Sequence, residues 1–158
     1  MGKEIERKFL TKGDGYKKNA KGALYRQGYL FTEPGKVVRV RICGDKGFLT
    51  VKGNPYGITR LEYEYEIPLN EAEEMLELLC EKPIIEKQRF KYSENGFTWE
   101  VDEFFGDNEG LAVAEIELKN EDEEFIKPQW VGEEVSNDPR YANSNLIKRP
   151  FKTWGRKY

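Results

Sequence analysis

No histidine occurs among the 158 residues. That removes imidazole bases, Ser-His-Asp and Cys-His nucleophile systems and every His-ligated metal site. Two cysteines, Cys43 and Cys80, are too few for a disulfide scaffold or a Cys-rich zinc site. With no signal-peptide pattern at the start, they read as reduced thiols of a cytoplasmic protein. No apolar run approaches the roughly 20 residues of a membrane span. An excess of one charge sign is also missing, since 26 basic and 29 acidic residues leave a net charge of −3. This excludes a generally basic nucleic-acid binder and an acidic tail. Any metal must be held by oxygen ligands, which suits Mg²⁺, Mn²⁺ or Ca²⁺.

What the chain has in abundance is charge, 35% of residues against roughly 25% in an average globular domain. These charges recur with a period of two. Lys3 to Leu10 puts Glu4, Glu6 and Lys8 on one face and Ile5 and Phe9 on the other. Leu24 to Phe31 is a second strand, closed by a turn at Glu33-Pro34-Gly35. Arg39 and Arg41 then oppose Val38, Val40 and Ile42, and Thr50 and Lys52 oppose Leu49 and Val51. Arg60, Glu62, Glu64 and Glu66 oppose Leu61, Tyr63, Tyr65 and Ile67. Further on, Lys87, Arg89 and Lys91 share a face, as do Glu100 and Asp102, and then Glu115 and Glu117. Asn95-Gly96 is a hairpin turn.

A helical pattern interrupts the strands. Asn70 with Glu73 reads as a capping box, Met75, Leu76, Leu78 and Leu79 as the buried stripe, and Pro83 as the stop. The tail from Glu121 is expected to be helical in two pieces, Glu121–Trp130 and Asp138–Lys148. The expectation is a mainly β (α+β) chain, one domain over residues 1–158. Eight antiparallel strands close into a barrel with a charged interior, flanked by a few helices.

A half-buried sheet with its charges in solvent would show the same alternation. Two features favour charges inside. Like-sign pairs two residues apart, about 6.5–7 Å on a strand, form whole strips: Glu4/Glu6, Glu62/Glu64, Glu100/Asp102 and Glu115/Glu117 against Arg39/Arg41 and Lys87/Arg89. The aromatic opposite faces also need the helices as a cover. A dry interior with a dozen charges is prohibitive, so the hollow must be wet and balanced. Basic strips can grip a polyanion and carboxylates can hold Mg²⁺ or Mn²⁺. Without histidine, the nucleophile is a metal-bound or carboxylate-oriented water.

Glu4-x-Glu6-x-Lys8, followed by Arg39-x-Arg41, Lys52, Glu62-x-Glu64 and Glu115-x-Glu117, resembles the CYTH or triphosphate tunnel metalloenzyme superfamily over Lys3 to about Lys148. The resemblance implies an eight-stranded tunnel that removes the terminal phosphate of a triphosphate with Mg²⁺ or Mn²⁺. It implies metal-binding acids at Glu4, Glu6 and Glu117, with Glu115 adjacent. Lys8, Arg39, Arg41, Lys52, Lys87 and Arg89 correspond to its phosphate-gripping bases, Lys8 also being a candidate catalytic residue. Glu62, Glu64 and Asp102 are implied to hold a second metal or to orient the attacking water, and Lys148 to reach the tunnel mouth. Gln27 and Tyr29 are further candidates as tunnel hydrogen-bond donors. Two other readings stay open here: an adenylate cyclase on the same scaffold and a non-catalytic polyphosphate-binding module. The expected partner is a small triphosphate or polyphosphate, since there is no extra basic surface for an RNA body.

Overall fold

The computed structural model describes residues 2–18, 20–33 and 36–155. Pro34 and Gly35 of the expected turn lie outside the described residues. Nine strands form among the described residues: β1 (Lys3–Thr11), β2 (Ala23–Phe31), β3 (Lys36–Cys43), β4 (Lys46–Gly53), β5 (Thr59–Ile67), β6 (Ile85–Glu94), β7 (Phe97–Phe104), β8 (Ala112–Glu117) and β9 (Val131–Glu134). The α-helices among the described residues are α1 (Leu69–Leu78) and α2 (Asn143–Lys148). None is long and apolar enough to cross a membrane.

The strands follow the order β5-β4-β3-β2-β6-β7-β8-β1, and β1 closes on β5, so eight antiparallel strands make a barrel. β1 is long enough to serve three partners. Lys3–Ile5 pair with β5, Glu6–Leu10 with β8, and Phe9 and Thr11 with β9, which covers the length of β1 that β5 does not reach. The β6–β7 hairpin turns on Asn95 (φ 56°) and Gly96 (φ 81°), the paired positive angles of a type I′ turn.

Side-chain alternation sets what this closure buries. Charged residues converge on the axis, and the apolar faces form three clusters outside the wall. Phe9, Trp99, Val101 and Ile116 pack with Tyr16, Trp130 and Phe125. Trp99 is fully buried with edge-to-face contacts to Phe9, Phe125 and Trp130. Truncating such a side chain costs about 3–5 kcal/mol. Ile85, Phe104 and Val113 pack with Leu146 and Ile147 of α2, and Val40 and Ile42 with Ala72 and Leu76 of α1. Gly28 and Gly47 let α1 approach, since a Cβ would stand 2.8 Å from Cys80 Cβ at the first and 2.6 Å from Ala72 Cβ at the second.

Three local expectations need correction. Pro68, not Asn70, occupies the N-cap of α1, and no side chain caps it, so the capping box does not form. The buried line runs through Ala72 and Leu76 of α1 and continues past its end to Cys80, while Leu78 and Leu79 are 72% and 67% exposed. The close approach admits one narrow stripe, and the helix ends at Leu78. Residues 121–130 make no helix. There Phe125 inserts into the aromatic cluster instead, and the chain then adds β9 to the barrel edge. Asp138–Lys148 does turn helical, as a 3₁₀ turn at Pro139–Tyr141 and then α2.

Candidate active site

The barrel encloses a cavity of about 700 Å³. Glu4, Glu6, Lys8, Arg39, Arg41, Lys52, Glu62, Glu64, Lys87, Arg89, Glu115 and Glu117 line it, so of the expected metal, phosphate and water-orienting residues of the strands all but Asp102 face one space. Strand register sorts them. Glu6 stands opposite Glu117 and Lys8 opposite Glu115 across β1 and β8. Lys52 faces Glu62 across β4 and β5, and Arg39 faces Thr50 across β3 and β4.

The cations divide by what holds them. Arg89 is fully engaged, its Nε and Nη2 donating to the two oxygens of Asp102 at 2.7 and 2.9 Å and its Nη1 to Glu100 at 3.1 Å. Lys87 Nζ lies 2.8 Å from Asp102 and donates to Asn143 Oδ1 at 2.8 Å. Arg39 Nη2 reaches Thr50 at 3.2 Å and Glu64 at 3.3 Å, while its buried Nε has no partner. Lys52 Nζ bridges Glu4 and Glu62 at 3.4 and 3.5 Å. Arg41 differs: its Nε donates to Gln27 Oε1 at 2.9 Å and its guanidinium lies 5.0 Å from the Tyr25 ring centre. Among the described residues no carboxylate pairs with Arg41 or with the Lys8 ammonium. Both are cationic heads available to an anion.

Burial and neighbours set the proton affinities. Burial lowers the Arg41 guanidinium to about 10, helped by Arg39 and Arg89. It lowers the Lys87 ammonium to about 7 against the pull of Asp102. Burial also pushes Glu6 well above the usual carboxylate range, reinforced by Glu115 and Glu4. Glu117 rises for the same reason, with Glu4 and Glu62 nearby. Glu115 goes the other way, because Lys8 and Arg89 outweigh its burial.

Asp102 departs from expectation. It is 2% exposed, and both oxygens are taken by Arg89 and Lys87, so it sits behind the cavity wall as their shared counter-ion rather than open to a metal or a water. Lys148 is exposed and lies outside the cavity lining; Ala142, Asn143 and Ser144 line it from the same segment. Gln27 and Tyr29 take part in the inner network through the 3.0 Å bond from Gln27 Nε2 to the Tyr29 hydroxyl. Arg60 and Glu100 also line the cavity, whereas Glu66 and Lys91 do not. Strand parity is the same for all four and does not separate the two pairs; Asn143 carries no periodic signal that would mark it.

Among the described residues no three carboxylates converge closely enough to cage a metal ion by themselves. The donor set still fits a hard cation. Its ligands are all oxygen, and among the described residues Glu6 and Glu117 lack ion-pair partners, while burial raises both carboxyls. Mg²⁺ is commonly bound by one or two carboxylates together with water and substrate phosphate, so a full protein cage is not required.

The CYTH domain family model matches residues 2–151. The inorganic triphosphatase of Acetivibrio thermocellus is 64% identical over 154 residues, covering 98% of this chain and 99% of that protein. The inorganic triphosphatase of Nitrosomonas europaea is 39% identical over 149 residues, covering 90% and 95%. A solved inorganic triphosphatase structure superposes with a TM-score of 0.64 at 37% identity, covering 91% of this chain and 93% of the other. A solved Hippeastrum protein shares the fold at 15% identity and a TM-score of 0.58, over 74% and 80%. With the closed barrel and its inward charges in place, the chain belongs to the CYTH domain family.

Proposed function

We propose that this protein is a cytoplasmic Mg²⁺- or Mn²⁺-dependent triphosphatase that hydrolyses the terminal phosphate of inorganic triphosphate. One observation carries the reading: among the described residues, two cations without carboxylate partners, Lys8 and Arg41, share a cavity with two carboxylates without cation partners, Glu6 and Glu117. A pure anion binder gains nothing from that acid pair. The 64% identical relative named as an inorganic triphosphatase supports the choice of substrate.

Lys8 and Arg41 donate to phosphate oxygens, and Arg39, Lys52, Lys87 and Arg89 extend the positive wall around an elongated polyanion. Fixed donors of this kind stabilise charge that grows in the transition state. Glu4, Glu6 and Glu117, with Glu115 adjacent, would hold the cation, which supplies Lewis-acid neutralisation of phosphate charge when bound. Glu62, held by Lys52, or Glu64, held by Thr50 and Arg39, accepts a proton from the attacking water. Water adds to the terminal phosphorus, the bridging P–O bond breaks, and orthophosphate and diphosphate leave.

The test is a panel of inorganic triphosphate, long-chain polyphosphate, ATP and thiamine triphosphate with Mg²⁺ and with Mn²⁺. Release of orthophosphate, fastest from inorganic triphosphate, is expected. Cyclic AMP with diphosphate from ATP would make the protein a cyclase, and tight binding without turnover a binding module.

A further inference from the structure

A hydrogen-bond chain links three strands of the barrel through the carboxy-terminal helix. Arg41 Nε donates to Gln27 Oε1 at 2.9 Å, and Gln27 Nε2 donates to Asn143 Oδ1 at 3.1 Å. The same Asn143 oxygen accepts from Lys87 Nζ at 2.8 Å. Gln27 is fully buried, so the direction of its amide is set by this chain and by the Tyr29 hydroxyl. Asn143 is the first residue of α2 and lines the cavity.

Two donors converging on one oxygen call for an acceptor, and an aspartate would supply one. A carboxylate would also cancel positive charge that a polyanion needs, and Lys87 already has Asp102 beside it. An amide gives the acceptor without the charge. An ammonium has three hydrogens; with two committed to Asp102 and Asn143, the direction of the third is fixed.

We propose that Asn143 is a positioning residue of the phosphate site. It aims the remaining N–H of Lys87 and, through Gln27, the guanidinium of Arg41, while keeping both cations uncompensated from the α2 side. This deepens the triphosphatase reading and rests on it.

The test uses the full chain and inorganic triphosphate, with turnover and calorimetric binding measured on each variant. Asn143→Ala is expected to lower kcat/KM about tenfold, the low end for losing one hydrogen bond to a charged group. Asn143→Asp keeps the acceptor but adds a charge, so its KM should rise more than its kcat falls. In a Lys87→Met background, where Asp102 keeps Arg89, Asn143→Ala should cost about threefold rather than tenfold, because only the route through Gln27 to Arg41 remains. Variants within twofold of wild type, or an Asn143→Ala cost that persists undiminished beside Lys87→Met, overturn the proposal. If wild type binds inorganic triphosphate without hydrolysing it, only the triphosphatase reading fails, and the same comparisons on binding affinity decide the role of Asn143. Absence of both binding and turnover in wild type ends both.

Discussion

Glu6 and Glu117 stand directly opposite each other on β1 and β8, inside the barrel and without an ion-pair partner among the described residues. Like charges facing across a strand pair destabilise a sheet. Burial compounds the cost by raising both carboxyls. A fold that keeps this arrangement is strained electrostatically at one place, and a bound cation is what would relieve it.

Replacing one of the pair should therefore stabilise the protein without metal. The ordinary carboxyl value is 4.5, and in the folded state Glu6 lies well above it. As pH rises past 4.5 the unfolded chain loses this proton before the folded one, so stability declines until the folded group also ionises. Glu6→Gln should melt roughly 2–4 °C higher than wild type at pH 7, about 1 kcal/mol in a domain of this size. The gap should close below pH 4.5, as followed by thermal unfolding in a chelator.

The same substitutions should abolish the metal response. Glu6→Gln and Glu117→Gln are each expected to weaken Mn²⁺ activation of triphosphate hydrolysis by more than the roughly 10–100-fold typical of losing an outer-shell partner. Titrating Mn²⁺ against orthophosphate release checks this, and unchanged curves in both would remove these acids from the metal site.

Arg41→Ala should reduce kcat/KM for inorganic triphosphate by roughly 10–150-fold, the range for hydrogen bonds to charged groups. Lysine should restore little. It has neither the Nε that Gln27 holds nor the planar face that lies over Tyr25. Steady-state kinetics of the two variants decide the point.

Asp102→Ala should act mainly on the fold. It leaves Lys87 and Arg89 without their shared buried counter-ion, a loss of about 3–5 kcal/mol. That corresponds to roughly 6–20 °C in melting temperature. Burial alone would raise this carboxyl, but Lys87 and Arg89 hold it well below its ordinary 3.8. The stability it gives is thus present above pH 3.8 and lost as pH falls, so the gap between wild type and variant should narrow in acid.

Much of the candidate site is legible in the sequence alone. Glu4-x-Glu6-x-Lys8 and the later strips fixed which residues share a face, because a strand alternates strictly. The sorting of signs by strand then told inside from outside, since only a shared ligand rewards carboxylates beside carboxylates. Asp102 shows the limit of that rule. Its parity matched the site, yet proximity to Arg89 and Lys87 withdrew it behind the wall. On α1, the spacing of Leu78 and Leu79 announced a stripe that the close seat on Gly28 and Gly47 leaves in solvent.

Local order in the chain thus determined the eight barrel strands and their facing, because period-two alternation is a property of the backbone and needs no partner. Docking between distant segments decided the rest: Phe125 under the aromatic cluster, β9 on the free length of β1, and Asn143 against Lys87, 56 positions away. Those contacts depend on where three-dimensional packing leaves a vacancy or an unanswered donor, and neither is written in the spacing of residues along a strand.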